Sequence, residues 1–149
     1  MTPMAHEFKF RREVQFSETD MAGIMHFSNY FYFMEEAEHA FFRSLGFSIA
    51  ADKTFPHLGW PRVKVECSYT QPLRFEDQVE VHLLVREKKP KALRYEFVFR
   101  KIESVKRTEV ARGSVTVVCV STSAEGKLKA CPIPDAIATK LEPAPDSGA

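Results

Sequence analysis

Little in this 149-residue chain suggests a covalent or metallic framework. Its three cysteines, Cys67, Cys119 and Cys131, are an odd number with no Cys-x-x-Cys pair. That argues against a zinc ribbon and a thioredoxin-type redox pair, and predicts a reduced, cytoplasmic setting. Charge of neither sign is in excess, since 21 Lys and Arg against 20 Asp and Glu leave a net +1. General nucleic-acid binding needs concentrated cations and is not expected. No stretch approaches the ~20 apolar residues of a membrane span, and residues 1–16 hold no apolar run of signal-peptide length. Six glycines and nine prolines exclude a collagen-like or low-complexity chain. What is present is a 44% apolar composition with thirteen phenylalanines, enough for one core. The length fits one domain.

Residues 8–16 alternate, with Phe8, Phe10, Val14 and Phe16 on one face and Lys9, Arg11, Glu13 and Gln15 on the other. This predicts a half-buried strand with Arg12 on its apolar side. The period then changes: Tyr30, Phe33, Met34, Ala37, Phe41 and Leu45 recur at three and four within residues 28–45. That predicts an amphipathic helix, with Ser28 or Asn29 capping its start, Gly46 just past its end, and Glu35, Glu36, Glu38, His39 and Arg43 mostly off the apolar stripe. Phe31, Tyr32 and Phe42 widen that stripe, as in a helix wrapped on several sides. Residues 47–62 read as irregular. Alternation returns in four runs beginning at Val63, Val79, Leu93 and Ala111, joined by turn-length links. The expected fold is α+β, a five-stranded antiparallel sheet curled around one long helix, with free sheet edges that a subunit interface could hide. Residues 1–141 form the expected domain and 142–149 an unstructured tail.

The strand-to-helix junction reads FSETDMAGIMHFSNYFYFMEEAEHAFFRSLGF (16–47). Asp20 is followed by Gly23, Ile24, Met25, His26, Asn29, Tyr30, Glu35, Glu36 and Ala37, and the segment ends in Leu45-Gly46. This pattern resembles the hotdog-fold acyl-CoA thioesterases of the 4-hydroxybenzoyl-CoA thioesterase-like family. The likeness extends through VKVECSYTQPLRFEDQVEV (63–81) and covers roughly residues 8–120. It implies that Asp20 is the catalytic carboxylate, that the backbone N–H of Phe27 polarises the thioester carbonyl, and that Gly23, Ile24, Met25 and Tyr30 border the substrate. It also implies a homodimer or homotetramer with sites built from two subunits, and acyl-CoA as substrate with no metal or other cofactor. Thioester hydrolysis needs a carboxylate to activate water or attack the carbonyl, and a donor for the developing oxyanion. A carboxylate just ahead of a helix start, with its unpaired N–H groups and partial positive charge, offers both. Gly23 permits a tight turn there and close approach of an acyl group. Some relatives carry histidine seven residues after the aspartate; here that position is Phe27, and His26 precedes it, a weaker candidate for catalysis.

Residues 86–94, REKKPKALR, carry five cations and one anion. Lys88, Lys89 and Lys91 are therefore candidates for the phosphates of CoA. Glu36-x-x-His39 is half of a di-iron pattern, but with one long helix the other half has nowhere to sit. No nucleophile elbow or phosphate loop is present. The alternatives are a hotdog dehydratase or hydratase, a non-catalytic acyl-CoA-binding module, and a thioesterase acting on an acyl carrier protein.

Overall fold

The computed structural model describes residues 4–49 and 55–146. Its elements are β1 (Glu7–Glu13), α1 (Asn29–Ser44), β2 (Leu58–Gly59), β3 (Arg62–Tyr69), β4 (Gln78–Lys88), β5 (Ala92–Glu103), β6 (Lys106–Val118), β7 (Val120–Thr122), β8 (Leu128–Ala130) and α2 (Asp135–Ala138). Five strands form one antiparallel sheet in the order β1-β4-β5-β6-β3. Strands β4, β5 and β6 are a meander, while β3 crosses to the far edge and pairs with β6.

The alternating runs explain the core. Val79, Val81, Leu83 and Val85 on β4, Leu93, Tyr95, Phe97 and Phe99 on β5, and Val115 and Val117 on β6 all point to one face and are buried. Helix α1 lies on that face, burying Tyr30, Phe33, Met34, Ala37, Phe41 and Phe42. The backbone of β6 comes close to α1 at Gly113, where a Cβ would run into the Met34 side chain. The helix closes as its terminal glycine predicts: Gly46 adopts φ +92°, its N–H donates to Arg43 O at 3.0 Å, and the Phe47 N–H donates to Phe42 O at 3.0 Å.

Arg12 does face inward, and the structure supplies the reason. Its guanidinium carbon sits 4.4 Å from the centroid of the Phe33 ring. Nη1 donates to Glu18 Oε2 at 2.8 Å, and Nε pairs with Glu36 Oε1 at 3.1 Å. The aliphatic stem covers the helix while two carboxylates neutralise the head.

Several expectations need correction. The first strand ends at Glu13, and Phe16, expected on its apolar face, lies in a 3-10 turn at 73% exposure. Glu38, placed off the apolar stripe, is 1% exposed; its carboxylate is held by Arg62, which makes burial tolerable. A small second sheet, β2-β7-β8, and the one-turn α2 were not anticipated. These strands are two or three residues long, too short to show a period. Residues 142–146 of the expected tail are docked: the Glu142 N–H donates to Ala5 O at 3.0 Å, and Ala144 is buried. Residues 147–149 of that tail and 50–54 of the irregular segment lie outside the described residues.

Candidate active site

The chain between β1 and α1 builds a rigid ledge. The Asp20 N–H donates to Ile24 O and the Gly23 N–H to Asp20 O, each at 2.9 Å. Asp20 Oδ1 accepts from the Ala22 N–H at 2.8 Å. Gly23 sits at φ +77°, a left-handed conformation that closes the turn. A Cβ there would meet open space, so backbone conformation, rather than crowding, is what requires glycine. Glu18 O accepts from both the His26 N–H at 2.9 Å and the Asn29 side-chain amide at 2.8 Å, tying the ledge to the helix start. The Met25 N–H donates to Leu73 O at 2.7 Å, fastening the ledge to the loop between β3 and β4.

A cavity of about 500 Å³ opens beside this ledge. Asp20, Ile24, Met25, Phe27 and Tyr30 border it, five of the residues singled out from sequence. Gly23 shapes the turn without lining the cavity. His26 does not line it either: its Nδ1 is 2.8 Å from Ser28 Oγ, and its ring stacks on Phe27 with centroids 4.6 Å apart. Ser28, expected as a helix cap, thus spends its hydroxyl on His26. Among the described residues, the Phe27 N–H has no hydrogen-bond partner.

The opposite wall was missed at the sequence level. Tyr69, Thr70, Gln71 and Pro72 supply it from the end of β3 and the following loop. Tyr69 donates its hydroxyl hydrogen to Phe27 O at 3.0 Å, and its ring meets Tyr30 edge-on at 4.8 Å. Burial pushes the Tyr30 hydroxyl up to about 12 and raises that of Tyr69 well above its ordinary value. Both stay protonated donors at neutral pH. The signal for this wall lay in the strand-and-Pro-loop resemblance of residues 63–81, since loop pairing across the fold leaves no period to read.

The basic cluster lies elsewhere and is largely committed. Lys88 Nζ donates to Ala138 O at 2.9 Å and Leu141 O at 2.8 Å, closing α2 and the segment after it. Lys89 pairs with Glu87 at 3.5 Å, Arg94 with Glu87 at 3.3 Å, and Arg86 with Glu96 at 2.8 Å. Lys88 and Lys89 border a separate hollow that shares no residue with the Asp20 cavity. Lys91 is exposed at the tip of the turn.

The family model of the Thioesterase-like superfamily matches residues 14–141. A curated relative from Aquifex aeolicus is 44% identical over 80 residues, 54% of this chain and 62% of its own length. The chain spans about three-fifths of the length of the first curated relatives it matches. Among solved structures, a gentisyl-coenzyme A thioesterase is 32% identical, with a TM-score of 0.76 over 88% of this chain and 99% of that one. The 4-hydroxybenzoyl-CoA thioesterase of Pseudomonas sp. strain CBS-3 shares the fold, with a TM-score of 0.80 at 20% identity over 91% and 99% of the two chains. No helix among the described residues is long and apolar enough to cross a membrane. With its five-stranded sheet wrapped on one long helix and a family match running from Val14 to Leu141, this chain is a hotdog-fold member of the Thioesterase-like superfamily.

Proposed function

We propose that this protein hydrolyses an acyl-CoA thioester to the free acid and CoA. The observation that carries this reading is one cavity bordered both by the Asp20 carboxylate and by Phe27, whose N–H is unpaired. The thioester carbonyl oxygen accepts the Phe27 N–H, which stabilises negative charge as it develops. Asp20 acts as general base, taking a proton from water as the water oxygen bonds to the acyl carbon, or as nucleophile, forming an anhydride that water then opens. The C–S bond breaks and the sulfur leaves as CoA thiolate, which takes up a proton. Tyr69, by holding Phe27 O, fixes the peptide that follows the oxyanion donor and so limits how residue 27 can turn. Lys89 and Lys91 are the remaining candidates for the CoA phosphates, since Lys88 is spent on carbonyl groups.

The working unit in this reading is a homodimer joined along β3. That strand is a sheet edge among the described residues, and its helix-side residues Val65 and Tyr69 are 49% and 42% exposed. The test is thiol release from acetyl-, hexanoyl-, palmitoyl-, benzoyl- and hydroxynaphthoyl-CoA, wild type beside Asp20→Asn. Turnover that falls ~10²-fold or more in the variant is expected. Binding without turnover by the wild type would make this a non-catalytic acyl-CoA module and withdraw the role of Asp20.

A further inference from the structure

The small sheet joins the large one at a pair of cysteines. Cys119 is the single residue between β6 and β7, and Cys131 follows β8. Val120 pairs with Ala130 across that hairpin, so Cys119 and Cys131 face each other on the next rung. The ladder does extend there, since the Cys131 N–H donates to Cys119 O at 2.9 Å. The two sulfurs are 3.7 Å apart. Facing residues of an antiparallel pair have Cα atoms about 4.5–5.5 Å apart, within the span a disulfide bridges. Closing the sulfurs to a bond of about 2.0 Å therefore calls for side-chain rotation rather than strand movement.

The two thiols differ in access. Cys119 is fully buried, while Cys131 is half-buried. Burial, and then Cys131 beside it, push the Cys119 thiol up, so it stays protonated at neutral pH. The third cysteine, Cys67, lies on β3 in the large sheet. The hairpin that the pair closes is lightly held. All of β8 is exposed, and among the described residues it is an edge of the small sheet. At the hairpin's base the Cys119 N–H donates to Lys91 O and the Ile133 N–H to Pro90 O, each at 2.8 Å. An element this exposed opens at low cost, and a crosslink across its base removes much of that freedom.

We propose that Cys119 and Cys131 form a redox-active dithiol, closed to an intramolecular disulfide by a low-molecular-weight disulfide such as oxidised glutathione. The accessible Cys131 thiolate attacks one sulfur of the reagent, giving a mixed disulfide and releasing one glutathione thiolate. Cys119 then loses its proton to solvent, and its sulfur attacks Cys131 Sγ and expels the second glutathione thiolate. The two protein thiols are oxidised by two electrons, and the reagent is reduced to two thiols, which take up the two protons. A reducing compartment keeps the pair open and an oxidising episode closes it. The closed form stiffens the hairpin and the Pro90–Lys91 turn without entering the Asp20 cavity, which neither cysteine lines. None of this depends on the thioesterase reading.

The test equilibrates the full chain in glutathione buffers from fully reduced to fully oxidised, and reads intact mass, digested peptides and melting temperature. Cys67→Ser is expected to lose two hydrogens, to keep no glutathione, and to yield a Cys119–Cys131 crosslinked peptide. The oxidised form should melt about 5 °C above the reduced one, in Cys67→Ser and in wild type. With Cys119→Ala added, Cys131 retains glutathione; with Cys131→Ala added, neither product forms. In both double variants the rise in melting temperature disappears. Lasting glutathione on Cys131 of Cys67→Ser with Cys119 still free overturns the proposal. So does the absence of any reaction, a disulfide formed only between chains, or an oxidised form that melts no higher than the reduced one. These outcomes are read on Cys67→Ser and wild type, so they hold even where Cys119→Ala, which opens space in the core, does not fold.

Discussion

The two flanks of α1 differ. On the β1 side the helix is sealed: Phe8 meets Phe41 at 6.0 Å, and Arg12 lies over Phe33 with its charge met by Glu18 and Glu36. On the β3 side the sheet extends past the helix, leaving Val65 and Tyr69 uncovered. The cavity beside Asp20, which α1 borders, opens on this second flank. The sealed flank serves stability, and the open one carries the proposed dimer contact and the proposed substrate site. A sheet of five strands is wider than one helix can cover, so the difference follows from the element count.

The sharpest way to break this contrast is on the sealed flank. Phe33 is fully buried, and Phe33→Ala should cost about 3–5 kcal/mol in urea unfolding, from lost burial and the cavity left beneath Arg12. At the ledge, Gly23→Ala should cost about 1–2 kcal/mol, because alanine is strained at φ +77° although space is open. Thiol release should fall with it, since Asp20 sits in that turn. Tyr69→Phe removes one hydrogen bond to Phe27 O; about 1 kcal/mol of stability and a several-fold fall in kcat are expected. Val65→Lys should leave chain stability within about 0.5 kcal/mol. The same change should lower the mass seen by light scattering, which checks the dimer through β3.

The smallest expected effect is on pH dependence. His82 on the sheet and His39 on α1 both titrate below their ordinary 6.5, chiefly because burial disfavours the imidazolium. Arg100 beside His82 adds to this, while Glu7 opposes it. The folded state therefore prefers neutral imidazole. That stability is present above pH 6.5 and is lost as pH falls through the lower folded values. Melting temperatures from pH 8 to 5 should decline less in His82→Gln than in wild type.

The junction from Phe16 to Phe47 was the most legible part of the chain. Asp20, Gly23, Asn29 and Gly46 are residues whose local chemistry makes turns, straps and helix ends, so their neighbours in sequence are also their neighbours in space. The burial of Glu38 was illegible for the opposite reason. Glu38 is one more carboxylate on a helix rich in them. Arg62, the partner of Glu38, is 24 residues away, and nothing local marks that pair.

Periodicity and turn chemistry determined the element types, the sheet of five strands, the single long helix and the ledge that carries Asp20. Those follow from which side chains can share a face at steps of two or of three to four. Tertiary structure alone decided that β3 crosses to the far edge, that Lys88 closes α2, and that the Phe27 N–H has no partner among the described residues. Each depends on contacts between segments distant in the chain. Burial area and hydrogen-bond pairing across the whole fold select such contacts, and no local pattern encodes them.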